Sequence, residues 1–248
     1  MAVAGAPDDR LPPHLFRPAG GLSAGSSTVV VAIDGPSGSG KSSTSRGVAA
    51  ALGLRYLDTG AMFRAMTWFM LREGVDVSDP AAVAAKVNTP LIESGTNPDH
   101  PTITVDGTDV AAAIREQAVT NAVSPVSAVP EVRARLLELQ RAEIGKGGIV
   151  VEGRDIGSVV WPQAQVKVYL TADANARAVR RAAEEGGSDV SATEASLRAR
   201  DAIDSGRATA PLVRPDGAHH IDTTPYTLEE VISQVVALVA AARHPEGA

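Results

Sequence analysis

An apolar run, "TVVVAI" at residues 28–33, leads directly into "DGPSGSGKSS" at residues 34–43, and no other feature narrows the fold of this chain so far. The run is short, β-branched and apolar on both faces, the pattern of a strand buried in a parallel sheet. The stretch after it fits G-x-x-x-x-G-K-[ST] through Gly35, Gly40, Lys41 and Ser42. Glycines let the backbone curl so that its N–H groups point inward at phosphate oxygens. A helix opening at Lys41 adds its positive dipole end. The loop Gly35, Pro36, Ser37, Gly38, Ser39, Gly40, Lys41, Ser42 and Ser43 is therefore the candidate ATP-binding segment. Lys41 would neutralise charge on the β and γ phosphates, and the Ser42 hydroxyl would ligate Mg²⁺.

Beyond the loop, strand and helix patterns alternate. A helix is predicted through "SSTSRGVAAALG", ending at Gly53, then a short strand and turn in "LRYLDTG". In "AMFRAMTWFMLREG", Met62, Met66, Phe69 and Met70 recur at helical spacing and read as core. From about 75 to 123 the rhythm breaks. "DPAAVAAKVNTP" reads as a short helix, and "TITVDGTDV" places Asp-Gly between extended runs, a hairpin signal. A small antiparallel insertion is expected there. The alternation resumes with a long helix in "PEVRARLLELQRAEIGKG", strands in "GIVVEG" and "QVKVYLTA", and one charged helical stretch from Asn175 to about Arg207. A short strand in "GAHHIDTT" and an amphipathic helix in "TLEEVISQVVALVAAAR" close the pattern. The fold expected is α/β: a P-loop kinase core with a parallel sheet flanked by helices, a small antiparallel insertion and a helical lid over about 177–207.

The loop does not name the phosphate acceptor. Three polar stretches bear on it. "YLDTGAMFR" puts Asp58, Thr59 and Arg64 at a strand end and the first turns of a helix. "VVEGRDIGSVVWP" puts Glu152, Arg154 and Asp155 at the C-terminal end of a buried strand, the edge where open α/β sheets bind ligands. "RARDAIDSGR" spaces Arg200, Asp204 and Arg207 by four and three, one face of a helix. A surface arginine at 64 and a solvated ion-pair ladder at 200–207 fit the same spacings. Arg177, Arg180 and Arg181 share another helical face, suited to a lid that screens a transferring phosphoryl group and excludes water. His219 and His220 are adjacent, so on a strand they point opposite ways and make a poor metal pair.

Composition removes several classes. With 23 Lys and Arg against 29 Asp and Glu, the net charge of −6 argues against a general nucleic-acid binder. The absence of cysteine excludes disulfides, zinc fingers and thiol catalysis. No apolar stretch reaches the roughly 18 residues of a membrane span. The start "MAVAGAPDDRLPPHLFRPAGGLSAGSS" lacks a signal-peptide pattern and reads, like the tail at 244–248, as disordered. A cytoplasmic monomer without nucleic-acid or membrane partners is expected. No Asn-Lys pair occurs, so the N-K-x-D motif of GTPase switches is missing. A small-molecule kinase fits best. Its rivals are a kinase for another small acceptor such as shikimate, and a non-catalytic nucleotide switch.

The four stretches "IDGPSGSGKSS", "LDTGAMFRA", "VEGRDIGSVVWP" and "ARDAIDSGRATAPL", in that order, resemble the bacterial cytidylate kinases, a branch of the nucleoside monophosphate kinases. The resemblance runs from about Val29 to the C-terminal helix and leaves residues 1–27 outside it. It implies that ATP and CMP or dCMP give ADP and CDP or dCDP with Mg²⁺, on a domain of residues 28–243. It implies that Ser124, Arg133 and Asp155 contact cytosine. Arg64, Arg154 and Arg207 would hold the acceptor phosphate, Arg200 and Asp204 would read the sugar, and Thr59 would sit in the same pocket. Arg177 and Arg181 would meet ATP from the lid, and Lys41, Arg154, Arg181 and Arg207 would act on the transferring group. Thr59 stands where many relatives carry serine, and Glu152 where many carry aspartate.

Overall fold

Five strands form one parallel sheet, and the two buried along their whole length, Val30–Asp34 and Ile149–Gly153, lie inside it. The computed structural model describes residues 28–184, 186–187, 189–206 and 212–243; the expected leader and tail lie outside them. The strands are β1 (Val30–Asp34), β2 (Arg55–Asp58), β6 (Ile149–Gly153), β7 (Val166–Thr171) and β8 (His219–Asp222), in the order β2-β6-β1-β7-β8. Each neighbouring pair is parallel, with Val31 opposite Val150 on one side and Val166 on the other.

Alternation sends successive β1 residues to opposite cores. Val31 and Ile33 pack with Val150, Val168 and Leu170. Helices α1 (Lys41–Leu52) and α8 (Leu228–Arg243) cover that side through Val48, Val231, Val235 and Val239. Val30 and Ala32 face the other core with Leu57, Val151 and Ile149. It is closed by α2 (Thr59–Arg72) and α5 (Pro130–Ile144), with Met62, Met66, Phe69 and Met70 of α2 all buried as their spacing predicts.

The break in rhythm is a separate three-stranded antiparallel sheet, β3 (Ile92–Ser94), β4 (Ile103–Val105) and β5 (Thr108–Asp109), preceded by α3 (Pro80–Lys86). Asp106 and Gly107 make the β4–β5 turn at φ 51° and 75°, the left-handed pair that the Asp-Gly signal calls for. This small sheet is tied to the main one where the Tyr56 amide donates to the Thr96 carbonyl at 2.9 Å. Two features depart from the sequence reading. A further helix, α4 (Gln117–Ala128), follows the insertion and contains Pro125, whose breaker character hides it. The charged stretch is two helices, α6 (Ala174–Glu184) and α7 (Val190–Ser205). The chain bends between them at Gly186 and Gly187, both at positive φ. Helix α7 ends at Ser205 with Gly206 as its cap, and Arg207, placed by the sequence reading on one face with Arg200 and Asp204, lies outside the described residues.

Candidate active site

β1 runs straight into the glycine-rich loop, and a side chain at its first position has no room. Gly35 sits at φ 149°, where an added Cβ would lie 2.1 Å from the Leu170 carbonyl oxygen of β7. Gly40 caps α1 from the left-handed region, and Lys41 is its first helical residue. The Lys41 ammonium donates to the Pro36 carbonyl at 2.6 Å, folding back over its own loop.

The order β2-β6-β1 brings three strand ends together at the carboxyl edge, with Asp58 opposite Glu152 and Gly153 opposite Asp34. Glu152 is held at both oxygens. Tyr56 donates to Oε1, and Ser42 donates to Oε2 at 3.0 Å. Thr59 at the start of α2 donates to the Glu152 carbonyl at 2.7 Å. Asp58 caps α2 through the Ala61 amide at 2.9 Å and pairs with Arg115 at 3.1 Å. Burial, reinforced by Asp58, pushes the Glu152 carboxyl above its usual range. Burial, reinforced by Arg154, pushes the Lys41 ammonium below its usual range. Burial also raises the Tyr56 hydroxyl, so this residue stays a proton donor to Glu152.

After β6 the chain makes a π-helical turn at Ile156–Val160 that carries Arg154 and Asp155 at its entrance. Asp155 is ion-paired with Arg133 of α5, whose guanidinium lies over the Phe63 ring, 5.3 Å from its centroid. Arg64 is buried and donates to the Ile114 carbonyl at 2.9 Å and the Thr120 hydroxyl at 3.0 Å, so it is not a surface arginine. From the other side, Arg177 of α6 donates to the Ser37 carbonyl at 3.2 Å and to Asp201 of α7 at 2.5 Å. Asp201 also stands 3.8 Å from Arg154. Arg180 reaches Thr223 at 2.8 Å, and Thr223 donates in turn to the Ser39 carbonyl at 3.2 Å.

These elements enclose a cleft of about 740 Å³. It brings together Ser37, Gly38, Gly40, Lys41, Ser42 and Ser43 of the loop with Thr59, Arg64, Ser124, Arg133, Arg154, Asp155 and Arg181. Gly35, Pro36, Ser39 and Arg177 are not among the residues that line it. Arg200 and Asp204 belong to α7, and Arg207 lies outside the described residues. Six lining cations (Lys41, Arg64, Arg115, Arg133, Arg154 and Arg181) face three lining carboxylates (Asp58, Glu152 and Asp155). A chain of net charge −6 thus carries a locally positive cleft. Sequence reasoning missed Asp34, Tyr56, Arg115 and Asp201. Only Asp34 left a local trace, as a carboxylate ending an otherwise apolar strand.

Comparison with known proteins follows the same outline. A family described as "Cytidylate kinase" matches residues 31–241. A "Cytidylate kinase" of Streptomyces avermitilis is 60% identical over 85% of this chain and 92% of its own length. One of Nocardia farcinica is 52% identical over 86% and 94%, and one of Mycobacterium leprae 49% identical over 85% and 95%. Among solved structures, a shikimate kinase from Acinetobacter baumannii in complex with shikimate aligns at a TM-score of 0.46 and 16% identity, covering 87% of this chain and 95% of that one.

Proposed function

The chain belongs to the cytidylate kinase family, and from that premise we propose that it transfers the γ-phosphoryl group of ATP to CMP and dCMP. The observation that carries this reading is the cation-rich cleft spanning the phosphate loop and the Arg133–Asp155 pair. Two phosphorylated ligands meeting there would bring several negative charges into a small volume. Arginines from α2, α5, α6 and the β6 turn are available to offset them.

The base is read at Asp155 and Arg133. Cytosine offers an N4 amino donor beside N3 and O2 acceptors. A carboxylate accepts from N4 while an adjacent guanidinium donates to the acceptors. Uracil turns an acceptor toward the carboxylate, a mismatch costing about 1–3 kcal/mol. Ser124, buried on the cleft wall, adds a hydroxyl to this pocket. Arg64, Arg154 and Arg207 hold the acceptor phosphate, with Thr59 beside them, and Arg200 and Asp204 read the sugar. The α6–α7 pair serves as the lid, bringing Arg177 and Arg181 to ATP, and the segment of about 75–123 serves as the acceptor-side subdomain.

The transfer is direct and in line. The CMP phosphate oxygen attacks the γ-phosphorus as the bond to the β–γ bridging oxygen breaks. The attacking oxygen is anionic near neutral pH, so no strong general base is required. Alignment and charge stabilisation by Lys41, Arg154, Arg181 and Arg207 supply the acceleration. The site fits an oxygen-seeking divalent ion, since the Ser42 hydroxyl and the Glu152 carboxylate converge at 3.0 Å beside the loop. Ser42 would hold Mg²⁺, with Glu152 supporting it, and the ion would neutralise phosphate charge.

A thermal-shift panel tests the acceptor. A ligand that binds only the folded state raises the unfolding midpoint. CMP and dCMP should raise it at sub-millimolar concentration, and shikimate should not. A response to shikimate without one to CMP would overturn the assignment.

A further inference from the structure

The donor loop and the acceptor turn are joined by a side chain with no part in the chemistry above. Asp34 is the last residue of β1, immediately before Gly35, and is fully buried. Its Oδ1 accepts from the Ile156 amide and its Oδ2 from the Gly157 amide, each at 2.8 Å. Those amides begin the π-helical turn that directly follows Arg154 and Asp155. The carboxylate thus reaches across from the central strand and fixes a turn 122 residues further along the chain. On its other flank the same short backbone segment is fixed by Gly35 against Leu170.

We propose that Asp34 is a positioning residue that sets the spacing between the phosphate loop and the Arg154–Asp155 pair, and so aligns CMP against the γ-phosphate. A carboxylate suits this task because both oxygens accept and neither donates. Two N–H groups side by side are matched by no neutral side chain of the same size. An asparagine would keep the volume but turn its NH₂ toward one of the two amides. That amide would lose its acceptor, and the turn would swing with it. The fit is tight, since a Cβ on Gly157 would already lie 3.0 Å from Pro215. The inference rests on the kinase reading, because the effect it predicts is on CMP.

The test uses the full chain near pH 8, comparing wild type with Asp34→Asn. Steady-state kinetics should show kcat/KM for CMP falling ten-fold or more while ATP affinity, titrated separately, stays within about two-fold. Amide exchange followed by NMR should accelerate at Ile156 and Gly157 and not across β7. Equal losses toward both nucleotides, or unchanged exchange at the two amides, would overturn the positioning role. If Asp34→Asn does not fold, Gly157→Ala strains the same joint from the other side and should give the same CMP-selective loss; a loss shared with ATP would count against it. Wild-type protein that makes no CDP would instead refute the kinase reading, leaving the amide measurement to judge the clamp alone.

Discussion

Two ionisable residues at the phosphate loop, Lys41 and Asp34, open the account at the residue scale, and each carries its charge in the folded state at a cost. The Lys41 ammonium is pushed down to about 8 by burial and by Arg154. Its charged form is therefore disfavoured by the nucleotide-free fold, and the triphosphate is what restores it. Lys41→Ala should lower kcat/KM by about a thousand-fold, roughly 4 kcal/mol of transition-state stabilisation. It should leave the thermal midpoint of the nucleotide-free protein unchanged or raised. Near-normal turnover would contradict the assigned role. Asp34 carries a pH signature. Burial raises its carboxyl to about 7, with Asp155 adding to the rise and the two amides and Lys41 opposing it. A raised carboxyl contributes stability that is fully present below its unfolded value of 3.8 and is lost as pH climbs through about 7. The full contribution is on the order of 4 kcal/mol as an upper bound. Unfolding midpoints at pH 5 and pH 8 should therefore favour wild type over Asp34→Asn more at the lower pH. An unchanged difference between the two pH values would place the Asp34 carboxyl below 5.

At the scale of elements, α2 ties the core to the site. Its first two turns carry Thr59 and Arg64 into the cleft, and the rest of the helix buries Met66, Phe69 and Met70 under the sheet. Arg64 can hold its position only if that anchor is firm. Phe69→Ala should cost about 3–5 kcal/mol, seen as a lower urea midpoint with an unchanged slope. A cost below about 1 kcal/mol would mean the core beneath α2 is not packed as described. The helix pair α6–α7 is held differently, through charged contacts converging on Asp201 and on the loop carbonyl of Ser37. Such polar contacts suit an element that opens and closes over a nucleotide.

For the whole molecule, what was legible in the sequence is what is encoded locally. The phosphate loop, the buried strands and the Asp-Gly hairpin each carry their signal within a few residues. The bend at Gly186 and Gly187 was available in the same way but was overridden by continuous helical composition, and Pro125 concealed α4. The network that shapes the site was not legible. Tyr56 and Glu152 lie 96 residues apart, and Asp34 and Ile156 lie 122 apart. Only the order β2-β6-β1 makes them neighbours, and that order is a property of the assembled sheet. The same assembly sets the phosphate loop and the Arg133–Asp155 pair in one cleft, and one measurement bears most directly on the transfer proposed there. Purified protein is given ATP, Mg²⁺ and an equimolar mixture of CMP, dCMP and UMP, and the diphosphates formed are identified and timed. CDP and dCDP should accumulate well ahead of UDP, by about ten-fold if the mismatch at Asp155 costs 1.4 kcal/mol. Absence of CDP, or UDP formed as fast as CDP, would contradict the account.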